Sequence, residues 1–201
     1  MEKRLFVPQE LIPALLDGTK TMHRVVLKPQ PNEKHSYCHG VCTSSTDNKN
    51  VGRVGFGASD VLVKEFIKLP YQVGNLLWVP EIWRDDNKNY IYEYRADIRD
   101  DEKSPWHSPV TMPREAARIW LEVVSAKVER LWSITEEDAR AEGIIDGGCI
   151  NCGEHEPCGC DNPQPDARDG YIWIWNAHAK PGHGWDDNPW CEIIEFRRVE
   201  R

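Results

Sequence analysis

The sequence lacks any apolar run of the length that a membrane-spanning helix needs, and it lacks a charged-then-apolar leader. After Met1–Arg4 only three apolar residues precede Pro8, which is too few for the core of a signal peptide. The chain also contains no internal repeat, and its 201 residues are enough for one sizeable hydrophobic core. We therefore expect a single soluble, cytoplasmic domain over residues 1–201 with no membrane partner.

Basic residues are scarce in one part of the chain, and this scarcity accounts for the whole net charge of −8. Between residues 133 and 170 the sequence has ten acidic residues against two basic ones. The remainder of the chain is therefore neutral overall and carries clusters of arginine and lysine. This distribution argues against a broad surface that follows a phosphate backbone, but it is compatible with a local nucleic-acid-binding face.

Cysteines are not spread as in a disulfide framework, because four of the seven crowd into an insert at residues 144–170. Their spacing is Cys-x2-Cys-x5-Cys-x-Cys, and neighbouring glycines allow tight turns. Four thiolates suit a tetrahedral zinc site with no open position, which is structural rather than catalytic. The predicted zinc ligands are Cys149, Cys152, Cys158 and Cys160. His155 could replace one thiolate, and the alternative is a metal-free, disordered acidic loop.

A second group of metal-binding residue types lies in the stretch 28–50, whose prolines, asparagines and hydroxyl residues are typical of a long connecting loop. This group contains Cys38, His39 and Cys42. Three such residues are too few for a complete site, so we expect two ordinary thiols and a surface histidine.

Residues Gly18–Arg24 combine turn-forming, hydroxyl-bearing and cationic side chains between two apolar segments. Upstream, Pro8–Asp17 has the pattern of a short helix that stops at Gly18. Downstream, Val25–Leu27 is typical of a strand. The segment therefore predicts a helix-to-strand junction, where a rigid scaffold can present polar groups to a ligand. The candidate groups are Lys20, Thr21, His23 and Arg24.

The remaining pattern predicts a β-rich core with few helices, which is an α+β fold. Alternation around Val54, Phe56, Val61 and Val63 favours a hairpin. Further strands are predicted at residues 74–79, 80–83, 90–95, 118–131 (as one strand or as two that meet at Ser125) and 190–199. A helix is predicted at residues 133–143, capped by Ser133 or Thr135. Residues 171–175 alternate as in a strand but equally suit an aromatic-rich helix, and we favour the helix.

Four motifs of this sequence recur together in one known family. They are Gly18–Arg24 (Gly-x-Lys-Thr-x-x-Arg), Leu77–Trp83 (Leu-Trp-Val-x-Glu-x-Trp), Met112–Arg118 (Met-Pro-Arg-x-Ala-x-Arg) and Glu136–Gly143 (Glu-Glu-Asp-Ala-x-x-Glu-Gly). With these motifs the chain resembles the ASCH domain of the PUA-like superfamily, and in particular its phage and prophage members. The similarity covers nearly the whole chain, except residues 28–50 and the Cys-rich insert.

The resemblance implies a small PUA-like β-barrel with peripheral helices and a cleft for a nucleobase or modified nucleoside. One ASCH branch hydrolyses N(4)-acetylcytidine to cytidine and acetate with a Lys, a Thr three residues later and a Glu. By position these fall on Lys20, His23 and Glu142, so the chain departs from the family at His23. It departs again at Val25, where the wider family's motif ends in an Arg.

The first function that follows is recognition of a nucleobase or RNA without chemistry. Lys20, Arg24 and Glu81 would contact the ligand. Trp83 and Trp106, which the pattern places at a strand exit and in a loop, would supply an aromatic platform for stacking.

A second function is an amidohydrolase that deacylates a nucleoside resembling N(4)-acetylcytidine. Lys20 and Glu142 would form the acid–base pair, assisted by Thr21 or His23. The plain alternative for this pair is a surface lysine and a helix-end acid. A third function is protein interaction through the acidic zinc loop.

Overall fold

The computed structural model describes residues 1–86, 91–98, 105–144, 159–161 and 167–201. Within these ranges the chain is a mixed α+β fold, as predicted, with ten strands, three α-helices and several single turns of 3-10 helix. The strands are β1 (Glu2–Arg4), β2 (Met22–Val26), β3 (Tyr37–Val41), β4 (Arg53–Gly57), β5 (Glu65–Lys68), β6 (Leu76–Trp78), β7 (Trp83–Asp86), β8 (Ile91–Tyr94), β9 (Trp120–Arg130) and β10 (Trp190–Val199). The α-helices are α1 (Ile12–Asp17), α2 (Glu136–Ala141) and α3 (Ala167–His178).

A five-stranded sheet in the order β1-β6-β9-β10-β2 forms the centre of the molecule. β1 runs parallel to β6, and the other three pairings are antiparallel. β1 and β2 are the two edges of this sheet, so no closed barrel is found among the described residues.

β9 is one continuous strand, although the sequence also allowed two strands that meet at Ser125. It pairs with β10 over the full length of β10. The register shifts between Glu195 and Phe196, where Ser125 faces Glu195. A bulge at this point takes up the extra residue, and the strand continues through the change in sequence pattern.

Two smaller sheets flank the central one, namely β3-β4-β5 and the hairpin β7-β8. The prediction of a loop over residues 28–50 is wrong where β3 lies. β3 pairs with β4, and its half-buried Cys38 packs against the cluster that includes Val54 and Phe56. The sequence signal was weak because most side chains of β3 remain partly or fully exposed. The hairpin predicted around Val54, Phe56, Val61 and Val63 is formed by β4 and β5. Its second strand begins only at Glu65, after the exposed Val61.

The predicted stop of the first helix at Gly18 and the predicted cap of the second at Thr135 agree with the structure, but α1 begins at Ile12, after a turn of 3-10 helix at Gln9–Leu11, and not at Pro8. α1 ends at Gly18, whose φ of +86° is the left-handed conformation that favours glycine. α2 begins after Thr135, whose hydroxyl accepts from the Asp138 amide while the Asp138 carboxylate accepts from the Thr135 amide. This capping box fixes where α2 starts.

The segment Tyr171–Trp175 is helical, as predicted, and it forms the middle of α3. The Glu136 carboxylate of α2 accepts hydrogen bonds from the Ala167 and Arg168 amides at the start of α3. The main core packs residues of all three helices against the central sheet. None of the helices in the described ranges is both long enough and apolar enough to span a membrane.

Candidate functional site

The junction between α1 and β2 is held out of strand geometry by two backbone hydrogen bonds. The Lys20 amide donates to Ala14 O of α1, and the Thr21 amide donates to Ala141 O of α2, both at 2.8 Å. Regular strand structure starts only at Met22. The junction therefore lies against the last turn of α2.

Lys20 is buried, which excludes the plain alternative of a surface lysine. Its residue exposure is 2%, and that of Glu142 is 1%. The Lys20 ammonium donates to Met22 O at 2.6 Å, to Glu142 O at 2.8 Å and to Glu142 Oε2 at 2.7 Å. Three contacts occupy its three donors, so Lys20 anchors the Glu142 side chain and backbone together.

Gly143 makes this close approach feasible, because it has a φ of +92° and no Cβ. A Cβ at this position would lie 2.9 Å from Ala14 Cβ and 3.1 Å from Lys20 Cβ. The glycine that ends the fourth motif is therefore required both for its backbone conformation and for space.

Two side chains of β2 complete the cluster around Glu142. His23 Nδ1 lies 3.4 Å from Glu142 Oε2, and Arg24 Nη1 lies 3.3 Å from Glu142 Oε1. Arg24 Nη2 also donates to Asp138 Oδ2 at 2.5 Å. Both oxygens of Glu142 thus face nitrogen atoms, and α2 and the residue that follows it supply two carboxylates, Asp138 and Glu142, to the two buried cations.

Burial and neighbouring charges set the ionisation of this cluster. Burial opposes ionisation of Glu142, but Lys20, His23 and Arg24 outweigh it and lower the pKa of Glu142 to about 2. Burial lowers the pKa of Lys20, although Glu142 acts against this shift. Burial and the charge of Lys20 also lower the pKa of His23, so its imidazole is neutral at pH 7.

A cleft of about 940 Å³ opens beside the cluster. His23, Arg24 and Glu142 line it, whereas Lys20 lies behind them and does not. Its size falls within the range of ligand-binding clefts. Aromatic and apolar residues form much of its wall, including Phe6, Tyr71, Tyr171, Ile174 and Trp175.

The charge of the cleft is opposite to that of the chain. Besides Arg24, four lysines line it, namely Lys3, Lys28, Lys68 and Lys180. Glu142 is the one acidic residue among the described residues that line it. An acidic protein therefore presents a cationic cleft, which is suited to an anionic ligand.

Three buried nitrogen atoms in the cleft wall have no hydrogen-bond partner within the described ranges. They are Arg24 Nε, His183 Nδ1 and His23 Nδ1, whose contact with Glu142 lies outside hydrogen-bond geometry. Buried polar atoms of proteins are nearly always paired, so such atoms call for an explanation. The cleft wall therefore has buried polar atoms that the described part of the protein leaves without a hydrogen-bond partner.

The other predicted site residues lie outside the cleft. Thr21 is exposed and does not line it. Glu81 is 1% exposed and forms a two-point ion pair with Arg118, at 2.9 Å to Nε and 2.8 Å to Nη2. The second carboxylate on this arginine comes from Asp97.

Neither of the predicted stacking tryptophans reaches the cleft. Trp83 is 8% exposed and packs edge-on against Tyr92. Trp106 is half-buried, with the Arg84 guanidinium 4.5 Å from its ring centroid. Both therefore belong to the packing around the β7-β8 hairpin.

Sequence reasoning missed the aromatic and cationic residues that do line the cleft. Tyr171 and Trp175 lie four residues apart in a segment predicted as helix, so their shared face was accessible from spacing alone. Phe6, Lys68 and Lys180 come from three distant segments, and no local pattern links them.

Most of the predicted zinc site lies outside the described ranges, which include Cys160 but not Cys149, Cys152 or Cys158. Within the described ranges no group of three or more His, Cys, Asp or Glu side chains is placed to hold a metal ion. A structural zinc ion on the four cysteines stays a prediction, and elemental analysis of purified protein tests it.

Comparison with protein-family models, with curated proteins and with solved structures finds no match to this chain. The geometry of the cleft and the cluster behind it therefore carries the functional argument.

Proposed function

We propose that the protein recognises a nucleobase in this cleft, as part of an RNA or of a modified nucleoside, without altering it chemically. The observation that carries the proposal is a cationic cleft with aromatic walls on a chain whose net charge is −8. Lysine and arginine attract the phosphates of nucleic acids, and aromatic rings stack on bases of any sequence.

The cluster behind the cleft supplies the polar contacts that the edge of a base requires. A neutral His23 has one nitrogen that donates and one that accepts, and it lies in the cleft wall beside the ionised Glu142. Lys20 holds Glu142 from behind, and Arg24 holds it from the side. These contacts fix the orientation of the recognising groups before the ligand arrives, which reduces the entropic cost of binding.

The proposal includes an ASCH-type, PUA-like domain of the phage kind, and the pairing of its motifs supports it. Gly18–Arg24 contacts Glu136–Gly143 through the Lys20–Glu142 ion pair. Leu77–Trp83 contacts Met112–Arg118 through the ion pair of Glu81 with Arg118. Motifs that are far apart in sequence thus meet in two pairs, as expected of elements that define one fold.

Binding measured at several salt concentrations tests this function. We expect single-stranded RNA to bind with an affinity that falls as salt rises. Lys68→Ala should reduce the slope of log affinity against log salt by about 1, because one phosphate contact is lost. Lys64→Ala is the matched control, since Lys64 is exposed on the same segment but does not line the cleft. Absence of binding to RNA and to nucleosides at low salt would refute the proposal.

A second function, amide hydrolysis, is supported by the meeting of Lys20 and His23 at a single oxygen of Glu142. We propose it as the alternative, with His23 as the general base that takes a proton from water. The resulting hydroxide adds to the acyl carbon of an N(4)-acylated cytidine, and the carbon–nitrogen bond then breaks. His23 returns the proton to the leaving amine, which yields the carboxylic acid and cytidine.

Incubation with N(4)-acetylcytidine distinguishes the two functions. Hydrolysis would release cytidine, and His23→Ala would slow it by about 10²–10⁴-fold because the general base is lost. Thr21→Ala should retain activity, since Thr21 does not line the cleft. Absence of cytidine would remove hydrolysis of this substrate and leave recognition standing.

A further inference from the structure

Phe6 is an aromatic residue at the cleft that the recognition cluster does not use. Phe6 is 50% exposed, whereas Tyr171, another aromatic residue that lines the cleft, is buried in the core. The Arg4 guanidinium lies 5.4 Å from the Phe6 ring centroid and also 4.8 Å from the Trp78 ring centroid. Arg4 therefore lies against the Phe6 ring, and half of the Phe6 surface stays accessible to a ligand.

Phe6 and His23 line the same cleft, and the Phe6 backbone is near enough to the His23 ring to act on its pKa. Arg4 also donates to Val110 O at 3.1 Å, and Val110, which is 64% exposed, lines the same cleft. The cleft thus has an inner polar site at His23 and an exposed apolar site at Phe6.

Two lysines of the cleft lie close enough for their charges to oppose one another. Both Lys3 and Lys68 line the cleft. Burial lowers the pKa of Lys3 and the charge of Lys68 lowers it further, whereas Glu192 acts against the shift. The Lys3 ammonium donates to Pro70 O, which holds it in place at the cleft. Two like charges held together are unfavourable by themselves, and an anion beside them relieves the repulsion.

We propose that the ligand is a single strand of nucleic acid at least two nucleotides long, with one base against His23, the next stacked on Phe6, and backbone phosphate at Lys3 and Lys68. This inference rests on the proposed recognition function and specifies its ligand. A base in a duplex is already paired and stacked, so a duplex cannot supply bases to both positions without opening.

The test compares ligands of increasing length by calorimetry or fluorescence anisotropy. The probes are nucleoside 5′-monophosphates, single-stranded tetranucleotides of RNA and DNA, and an RNA duplex. We expect a tetranucleotide to bind about tenfold or more tightly than any monophosphate, because a second stacked base adds that order of affinity. The duplex should bind more weakly than the single strand.

Substitution of Phe6 separates the two sites. Phe6→Ala should weaken tetranucleotide binding about tenfold and change monophosphate binding by less than about twofold. Phe6→Trp should restore tetranucleotide binding, since the stacking surface returns. Trp173→Ala is the matched control, because Trp173 is 70% exposed and does not line the cleft. The exposed position of Phe6 leaves the fold intact, which circular dichroism checks.

The outcomes distinguish failure of this inference from failure of the proposed function. Monophosphate binding with no gain for tetranucleotides, or with equal losses for both ligands in Phe6→Ala, would overturn the inference and retain the function. Duplex binding as tight as single-strand binding would also overturn the inference. Absence of binding to every probe would overturn both.

Discussion

Two buried carboxylates, Glu142 and Glu81, differ in their surroundings although each is 1% exposed and each contacts an arginine. Glu81 meets one arginine in a two-point pair, and this pair lies away from the cleft. Glu142 meets Lys20, His23 and Arg24, and it lines the cleft. Burial with a cationic partner is therefore no sign of a ligand site. Glu142 differs from Glu81 in two respects. It lines a cleft, and it contacts Lys20 and His23 in addition to its arginine partner.

The largest expected effect is the loss of the Glu142 charge. Glu142→Gln leaves Lys20 buried without its counter-ion, and this should lower the free energy of unfolding by about 3–5 kcal/mol. Glu81→Gln should cost less, about 1.5–3 kcal/mol, because Asp97 still neutralises the partly exposed Arg118. Urea titrations of the two variants and the parent measure both values. Equal losses would contradict the distinction between the two pairs.

The acid side of the stability profile should depend on Glu142. Its pKa is about 2 in the folded protein against an ordinary 4.5, so the folded state favours the ionised form. The resulting stabilisation is present above pH 4.5 and is lost as the pH falls through about 2. Its size is about 3 kcal/mol, at ~1.4 kcal/mol per pKa unit. Unfolding measured from pH 6 to pH 2 should show this loss in Glu81→Gln but not in Glu142→Gln.

Helices and strands with a strong local pattern of apolar or capping residues were predictable from the sequence. α2 and β10 follow the predicted segments closely, because capping residues and dense apolar runs mark them locally. β3 was not predictable, since its side chains bury little area and its place depends on pairing with β4. Tertiary pairing, rather than local preference, decides such a strand.

The site was predictable only in part. The contact of Lys20 with Glu142 followed from the resemblance, which related two segments more than a hundred residues apart. The burial of Lys20 did not follow, because lysine is ordinarily exposed and its enclosure depends on the packing of α1 and β2 against Glu142 and Gly143. The roles expected of Glu81 and Trp83 depended on exposure at a strand exit, which sequence does not encode.

A third buried carboxylate, Glu192, extends the comparison in the opposite direction. Glu192 is fully buried on β10, and its oxygens accept from the Tyr71 amide at 3.1 and 3.2 Å. Burial raises its pKa to about 8, although the Tyr71 amide and Lys3 act against the shift. The folded state therefore favours the protonated form, whose contribution is complete below pH 4.5 and is lost as the pH rises through about 8.

Glu192→Gln should remove this alkaline loss of stability. Between pH 5 and pH 9 the parent should lose about 2 kcal/mol that the variant retains, since relaxation of the protein around the ionised carboxylate reduces the full linkage value. Chemical denaturation at several pH values measures the difference. Glu192→Asp is the control that keeps a titrating carboxyl group and hence the pH dependence. Parallel profiles for the parent and Glu192→Gln would contradict the prediction.

The smallest expected difference between a variant and its control concerns the space beside Ala14 and Lys20 that Gly143 leaves free. Gly143→Ala places a Cβ 2.9 Å from Ala14 Cβ and 3.1 Å from Lys20 Cβ, in a left-handed backbone, and should cost about 2 kcal/mol of stability. Gly74→Ala is the matched control, because its φ of +81° carries the same backbone strain with nothing within 4 Å, and it should cost about 1 kcal/mol. Equal costs would mean that backbone conformation alone requires the glycine. If Gly143→Ala costs more stability than Gly74→Ala, its acid-induced loss of stability should also begin at a higher pH than in the parent. The reason is that a displaced Lys20 stabilises the Glu142 carboxylate less well.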